Sequence, residues 1–161
     1  MLQRIDWSRC TAIAEIGPGT GSFTQAILDQ CGNRTRFFAV EINPEFVAHL
    51  KQRFPMADIV QADASELKAL CMERQISKLD ALVSGLPWAV FPDELQRKLL
   101  DAILDALGPE GKFSTFAYLH GLPLAAGRRF RSLLKENFRS VETSPILWRN
   151  LPPAIVYHCQ K

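Results

Sequence analysis

Short, unbroken apolar runs alternate with segments whose apolar residues recur at helical spacing, and the alternation continues from one end of the chain to the other. Residues 11–17, 37–42, 59–62, 79–84 and 112–118 carry the runs. "AIAEI", "FFAVEI" and "LDALV" lack the strict polar alternation of a half-exposed strand, so they predict parallel strands buried on both faces. Between them, Phe23, Ile27 and Cys31, then Phe46, Leu50 and Phe54, then Leu95, Leu99, Ile103 and Leu107 each form one helical stripe. Pro44 and Pro92 stand near helix starts, and Gly32 and Gly108 follow the last apolar turns. Strands and helices in strict alternation predict an α/β fold with helices on both faces of a mostly parallel sheet.

The tail departs from this rhythm. After a helix predicted at residues 126–138, residues 141–148 and 154–159 read as two strands joined by "RNLPP", close enough to pair antiparallel. The expectation is a seven-stranded sheet ending in an antiparallel hairpin. No repeat, low-complexity tract or long linker interrupts the chain, so residues 1–161 read as a single domain.

With 161 residues, 47% of them hydrophobic, the chain can bury a continuous core without metal or disulfide staples. Cys10, Cys31, Cys71 and Cys159 stand far apart with no C-x-x-C pair, which favours a reducing, cytoplasmic setting. No run approaches the roughly 20 apolar residues of a membrane span, so any membrane contact is expected to be peripheral, at the inner face. The net charge of +2 is too small to mark a nucleic-acid binder. Its distribution says more: residues 125–161 hold seven basic groups against two acids, a local +5 that leaves −3 on the remainder. In the predicted helix there, Phe130, Leu134 and Phe138 lie on one side and Arg128, Arg131 and Lys135 on another. That is either a solvated face or one that meets an anionic membrane.

The sharpest local signal is Glu15-Ile16-Gly17-Pro18-Gly19-Thr20-Gly21, which ends a predicted strand and opens a helix. Glycine permits a tight turn and a close backbone approach to a ligand. The spacing G-x-G-x-G is not the G-x-G-x-x-G of dinucleotide binders. Glu15 sharpens the difference, because a carboxylate there repels a pyrophosphate but suits a cationic amino-acid moiety such as that of S-adenosylmethionine. Glu41, with Ile42 beside it, closes the second strand where an acid can bind both ribose hydroxyls. The alternative reading of Glu41 is an exposed acid at a strand end. Asp63, before Ala64 and Ser65, has the form of a helix N-cap.

Ser84-Gly85-Leu86-Pro87-Trp88 follows the fourth strand. Ser84 and Gly85 are expected at the cofactor. Trp88 offers an aromatic face to an ammonium or a sulfonium, or is a core plug beneath the loop. Tyr118 ends the fifth strand and His120 follows it. Each is a candidate to contact the acceptor, and His120 to relay a proton near neutral pH. Packing and an ordinary loop histidine are the plainer readings. Arg149 and Asn150 either bind a lipid phosphate or order a turn. No Ser-His-Asp set, metal cluster or phosphate-gripping lysine loop is present in the pattern.

The five parallel strands with their closing hairpin resemble the class I methyltransferase sheet. The Gly loop is generic to that class, whereas the later motifs are more specific. "SGLPW" is similar to the "NLPY" loop of the rRNA adenine dimethyltransferases, but Gly85 stands where that family has the asparagine that orients an adenine amine. "SGLPW" together with "WRNLPPA" at residues 148–154 resembles more closely the bacterial phospholipid N-methyltransferases, which methylate phosphatidylethanolamine; the resemblance covers residues 13–157. It implies S-adenosyl-L-methionine as cofactor and a phospholipid or anionic membrane surface as partner. The class also holds the adenine amine at the position of Asp63, with its carboxylate or with the neighbouring backbone at Ala64. The phospholipid family carries helices ahead of the first strand, one of them amphipathic and membrane-seeking, which also cover the cofactor. Here ten residues precede the strand, so a domain without that lid is expected. The alternatives are methylation of an RNA adenine or a small amine, and a cofactor-binding fragment without full activity.

Overall fold

The computed structural model describes residues 1–161. Its strands are β1 (Ala12–Ile16), β2 (Arg36–Glu41), β3 (Asp58–Gln61), β4 (Leu79–Ser84), β5 (Leu107–Tyr118), β6 (Ser140–Thr143) and β7 (Ala154–Gln160). They form one sheet in the order β3-β2-β1-β4-β5-β7-β6. The first five are parallel, and β7 runs antiparallel between β5 and β6. The helices are α1 (Ser22–Leu28), α2 (Pro44–Arg53), α3 (Leu67–Glu73), α4 (Asp93–Ala106) and α5 (Ala125–Asn137).

The continuous apolar runs do become strands covered on both faces. All five residues of β1 are buried. Because side chains alternate across a strand, Ala12, Ala14 and Ile16 enter one core with Leu100, Ile103 and Leu134 of α4 and α5, while Ile13 enters another with Ile27 of α1. Trp7, Ile5 and Leu2 cap that second core from the amino-terminal segment. A third cluster joins Val47, Leu50 and Phe54 to Ala39 and Ile59.

Several boundaries differ from the expectation. The α2 stripe turns on Val47 and Leu50, leaving Phe46 exposed. Cys31 lies beyond the end of α1, and Leu107 opens β5 rather than closing α4. "GPEG" at residues 108–111 lies ahead of the expected fifth strand, yet it falls within β5. The strand tolerates it by shifting register between the Leu79–Leu107 and Ala81–Lys112 pairs. The expected strand at residues 141–148 stops at Thr143. Pro145 has no N–H to continue the ladder. The Ser144 hydroxyl accepts from the Val156 amide at 3.0 Å, and only a bridge from Leu147 to Ala154 follows. The connection between β6 and β7 is therefore a ten-residue loop, 144–153.

Strand order reverses between β1 and β4. In open α/β sheets the carboxyl ends of the strands at such a switch point form the binding crevice. The Gly loop leaves β1 there and the Ser84–Trp88 loop leaves β4 beside it.

Candidate active site and cofactor pocket

Gly17, Gly19 and Gly21 all have positive φ, at 63°, 56° and 84°. A side chain at Gly21 would also meet Phe54 at 2.6 Å, so the loop is pressed onto α2 as well as bent. The Gly17 amide donates to the Val40 carbonyl at 2.9 Å, and Arg53 donates to the carbonyl of the exposed Thr20 at 2.8 Å. Glu41 fixes the centre of the loop. Its Oε2 accepts from the Gly19 amide and its Oε1 from the Asn43 amide, both at 3.0 Å. The side chain is 7% exposed, so it is not a solvated acid at a strand end. Ile42, next in sequence, is exposed beside it.

Glu15 is fully buried. One carboxylate oxygen accepts from the Thr24 hydroxyl at 2.7 Å, and Oε1 has no partner within the protein. Burial pushes its pKa up to about 7, the Thr24 hydrogen bond opposes that shift, and the charge of Glu41 adds to it. A buried, singly bonded carboxylate at the mouth of a glycine loop suits a cationic ligand group, and the residues present fit S-adenosylmethionine. Asp63 is the expected cap: its Oδ1 accepts from the Ser65 amide at 2.8 Å, and Glu66 returns a hydrogen bond to the Asp63 amide. The Ser65 hydrogen bonds hold its pKa below the usual value, partial burial opposing them. Ala64 is half-buried next to it.

The two loops touch. Gly85 donates to the Ile16 carbonyl at 2.8 Å, and a Cβ at Gly85 would lie 2.2 Å from the Gly17 carbonyl oxygen. Ser84 is buried, and its hydroxyl accepts from the Trp88 indole at 3.1 Å and from the Leu86 amide at 3.3 Å. This hydroxyl shapes the loop from inside. Trp88 follows in a single 3-10 turn, Trp88–Val90, with its ring buried and stacked on Phe130 at 4.3 Å between centroids. Phe91 and Phe113 meet it edge-on. The expected open aromatic face is thus covered on one side by Phe130, and the ring forms an inner wall.

That wall belongs to an apolar cleft between the two acceptor-side loops. Val90, Phe116, Tyr118, His120, Leu122 and Leu124 line the remainder. Tyr118 and His120 stack with centroids 5.6 Å apart and planes 10° from parallel, and Phe116 packs edge-on to Tyr118. Their polar atoms make no hydrogen bond within the protein, so both are free to meet a ligand.

Two contributors escaped the sequence reading. Thr24 is one. The other is Gln96, fully buried on α4, whose amide donates to the carbonyls of Trp88 at 2.7 Å and Ala126 at 3.0 Å. It ties the acceptor loop to the start of α5. The signal was present: Gln96 lies on the buried stripe with Leu99, Leu100 and Ile103, where an unpartnered amide is costly.

Residues 13–111 match the family model described as "Methyltransferase domain". The chain is 33% identical over 162 residues to an ornithine lipid N-methyltransferase from Singulisphaera acidiphila, covering 99% of this chain and 80% of that protein. It is 24% identical over 90 residues to ribosomal RNA small subunit methyltransferase A from Leptothrix cholodnii, covering 56% of this chain and 32% of that one. Its fold superposes on the CurJ carbon methyltransferase with a TM-score of 0.72 at 18% identity, over 99% of this chain and 50% of the other. With the switch-point crevice, the glycine loop and the acids beside it, these likenesses place the chain in the class I S-adenosylmethionine-dependent methyltransferases.

Proposed function

We propose that the protein methylates the primary amine of a membrane-lipid headgroup. The observation that carries this reading is the acceptor cleft: apolar walls from β4 to α5 and an open, acid-free mouth beside the cofactor crevice. The relative that acts on ornithine lipid supports the same class of acceptor. Phosphatidylethanolamine and ornithine lipid both present such an amine at the end of an acylated molecule.

The cofactor, when bound, supplies an electrophilic methyl group on its sulfonium. Glu15 takes the amino-acid ammonium, Glu41 the ribose hydroxyls, and Asp63 with the Ala64 backbone the adenine amine, while Ile42 covers the adenine ring. Thr20 and the glycines lend backbone, and Ser84 and Gly85 set how closely the two loops approach. The acceptor must arrive as a free amine, since an alkylammonium with a pKa of about 10 has no lone pair to attack with. A mouth without carboxylates does not stabilise the ammonium form. Tyr118 and His120 orient the amine at the end of β5, and the exposed His120 passes the released proton to water. In-line placement supplies most of the acceleration.

Transfer to an RNA adenine is the second reading, favoured by the rRNA methyltransferase match. Gly85 argues against it: it lacks the carboxamide of the rRNA family's loop, and Gly17 leaves no room for one. Incubation with labelled cofactor and vesicles of either aminolipid, unmodified small-subunit rRNA, or water-soluble amines tests the choice. Label is expected in the lipid; label in RNA alone would overturn the proposal, and binding without transfer to any acceptor would leave a cofactor-binding fragment. A cytoplasmic protein working at the inner membrane face is part of the same proposal.

A further inference from the structure

Residues 85–92 and 119–131 rim the acceptor cleft, and loop 144–153 stands beside them at the same end of the sheet. Together they contain no Asp or Glu, although the chain has 17, and they hold Arg128, Arg131 and Arg149, with Arg129 paired to Asp93 just beyond the first segment at 3.1 Å. Five acids stand instead around the cofactor crevice, at Glu15, Glu41, Glu45, Asp63 and Glu66. At the acceptor end, large apolar side chains stand in solvent. The loop 144–153 exposes Ile146, Leu147, Trp148 at 71% and Leu151 at 97%, while Val90 and Leu124 are exposed across the cleft. The loop is held to the acceptor end of the sheet, because Ala154 pairs with Tyr118 and the Leu119 amide donates to the Pro153 carbonyl at 2.9 Å.

We infer that loop 144–153, with Trp148 and Leu151 at its tip, is the segment that enters an anionic phospholipid bilayer and sets the acceptor cleft against the headgroups. The choice of a bilayer as occupant rests on the lipid reading above. Exposed apolar side chains flanked by arginines, with no acid among them, complement an anionic interface, and tryptophan settles at the boundary between headgroup and acyl chain. This contact also fixes an orientation. The α5 helix begins at the cleft, where Gly127 packs against Gly121, and leads down to β6 at the opposite edge of the sheet. At about 1.5 Å per residue, Lys135 lies roughly 10 Å below Arg128, beyond a Debye length of about 8 Å. Arg128 and Arg149 therefore share the bilayer face with the loop, and the lower half of the basic helix stands away from it.

Sedimentation of the whole protein with phosphatidylcholine vesicles, with and without phosphatidylglycerol, tests this against two double variants. Binding should rise with the anionic fraction. Trp148→Glu with Leu151→Glu should weaken it by at least about tenfold, whereas Lys135→Gln with Arg139→Gln, the same change of net charge placed farther down, should change it less than about twofold. Both should bind S-adenosylhomocysteine as the parent does, which excludes unfolding. Brominated acyl chains should quench emission in the parent more than in Trp148→Phe. Equal vesicle binding by the loop variant, or equal quenching in the parent and Trp148→Phe, overturns the inference. If the loop docks but no lipid receives a methyl group, the docking surface stands and the lipid-amine reading falls. If lipid is methylated and the loop variant still docks, the reverse holds.

Discussion

Gly85 and Gly17 are locked in a contact that admits no side chain. A Cβ at position 85 would lie 2.2 Å from the Gly17 carbonyl oxygen, and both neighbours are loop backbone held by strand-end hydrogen bonds. Gly85→Asn should therefore force the β1 and β4 loops apart, costing about 1 to 3 kcal/mol of stability. Transfer should fall at least about tenfold, as expected when a displaced loop misplaces the reacting groups, and no adenine methylation should be gained. Thermal unfolding with transfer assays on lipid and rRNA checks it. A variant as active as the parent would separate this contact from function.

Glu41 carries the cofactor prediction. Glu41→Ala removes the acceptor for the Gly19 and Asn43 amides together with the proposed ribose contact. The affinity for S-adenosylhomocysteine should drop by about 2 to 4 kcal/mol. Calorimetry on the folded variant measures it, and unchanged affinity would take Glu41 out of the pocket.

Glu15 makes the free protein sensitive to pH. Its folded pKa of about 7 stands above the ordinary value of 4.5. Between those values the unfolded chain has released the proton and the folded one retains it. Stability should therefore fall as pH rises through that window, by on the order of 3 kcal/mol at most. A cationic ligand group prefers the carboxylate, so S-adenosylhomocysteine should bind roughly tenfold tighter at about pH 8 than at about pH 6. Glu15→Gln should flatten both profiles. A parent protein whose stability and affinity are level across the window would contradict this.

How much of this was legible depends on the kind of signal. The buried parallel strands and the Gly loop read directly from apolar runs and glycine spacing, because those constraints are local. Thr24 and Gln96 were hidden, since their partners lie on other elements. Trp88 could be read as either wall or contact, and only the stacking on Phe130 shows one face covered. The early end of β6 followed from Pro145, a local signal outweighed by the apolar "ILW" after it. The exposed loop was misleading for the same reason: its apolar residues suggested a buried strand, while the structure leaves them in water.

Gln96 predicts a coupling between stability and the acceptor side. Gln96→Leu keeps the volume but strips the Trp88 and Ala126 carbonyls of their buried donor. Stability should fall by about 1 to 3 kcal/mol. The acceptor KM should rise more than cofactor affinity changes. Denaturant titration and steady-state kinetics read these separately, and an equal loss on both substrates would mark a general unfolding effect.

The central claim is settled most directly by mass spectrometry of the acceptor after incubation with cofactor, using vesicles of phosphatidylethanolamine or ornithine lipid, with small-subunit rRNA present in the same tube. The account predicts methyl groups on the nitrogen of at least one lipid headgroup and none on the RNA. Methylated adenine with both lipids unmodified would contradict it.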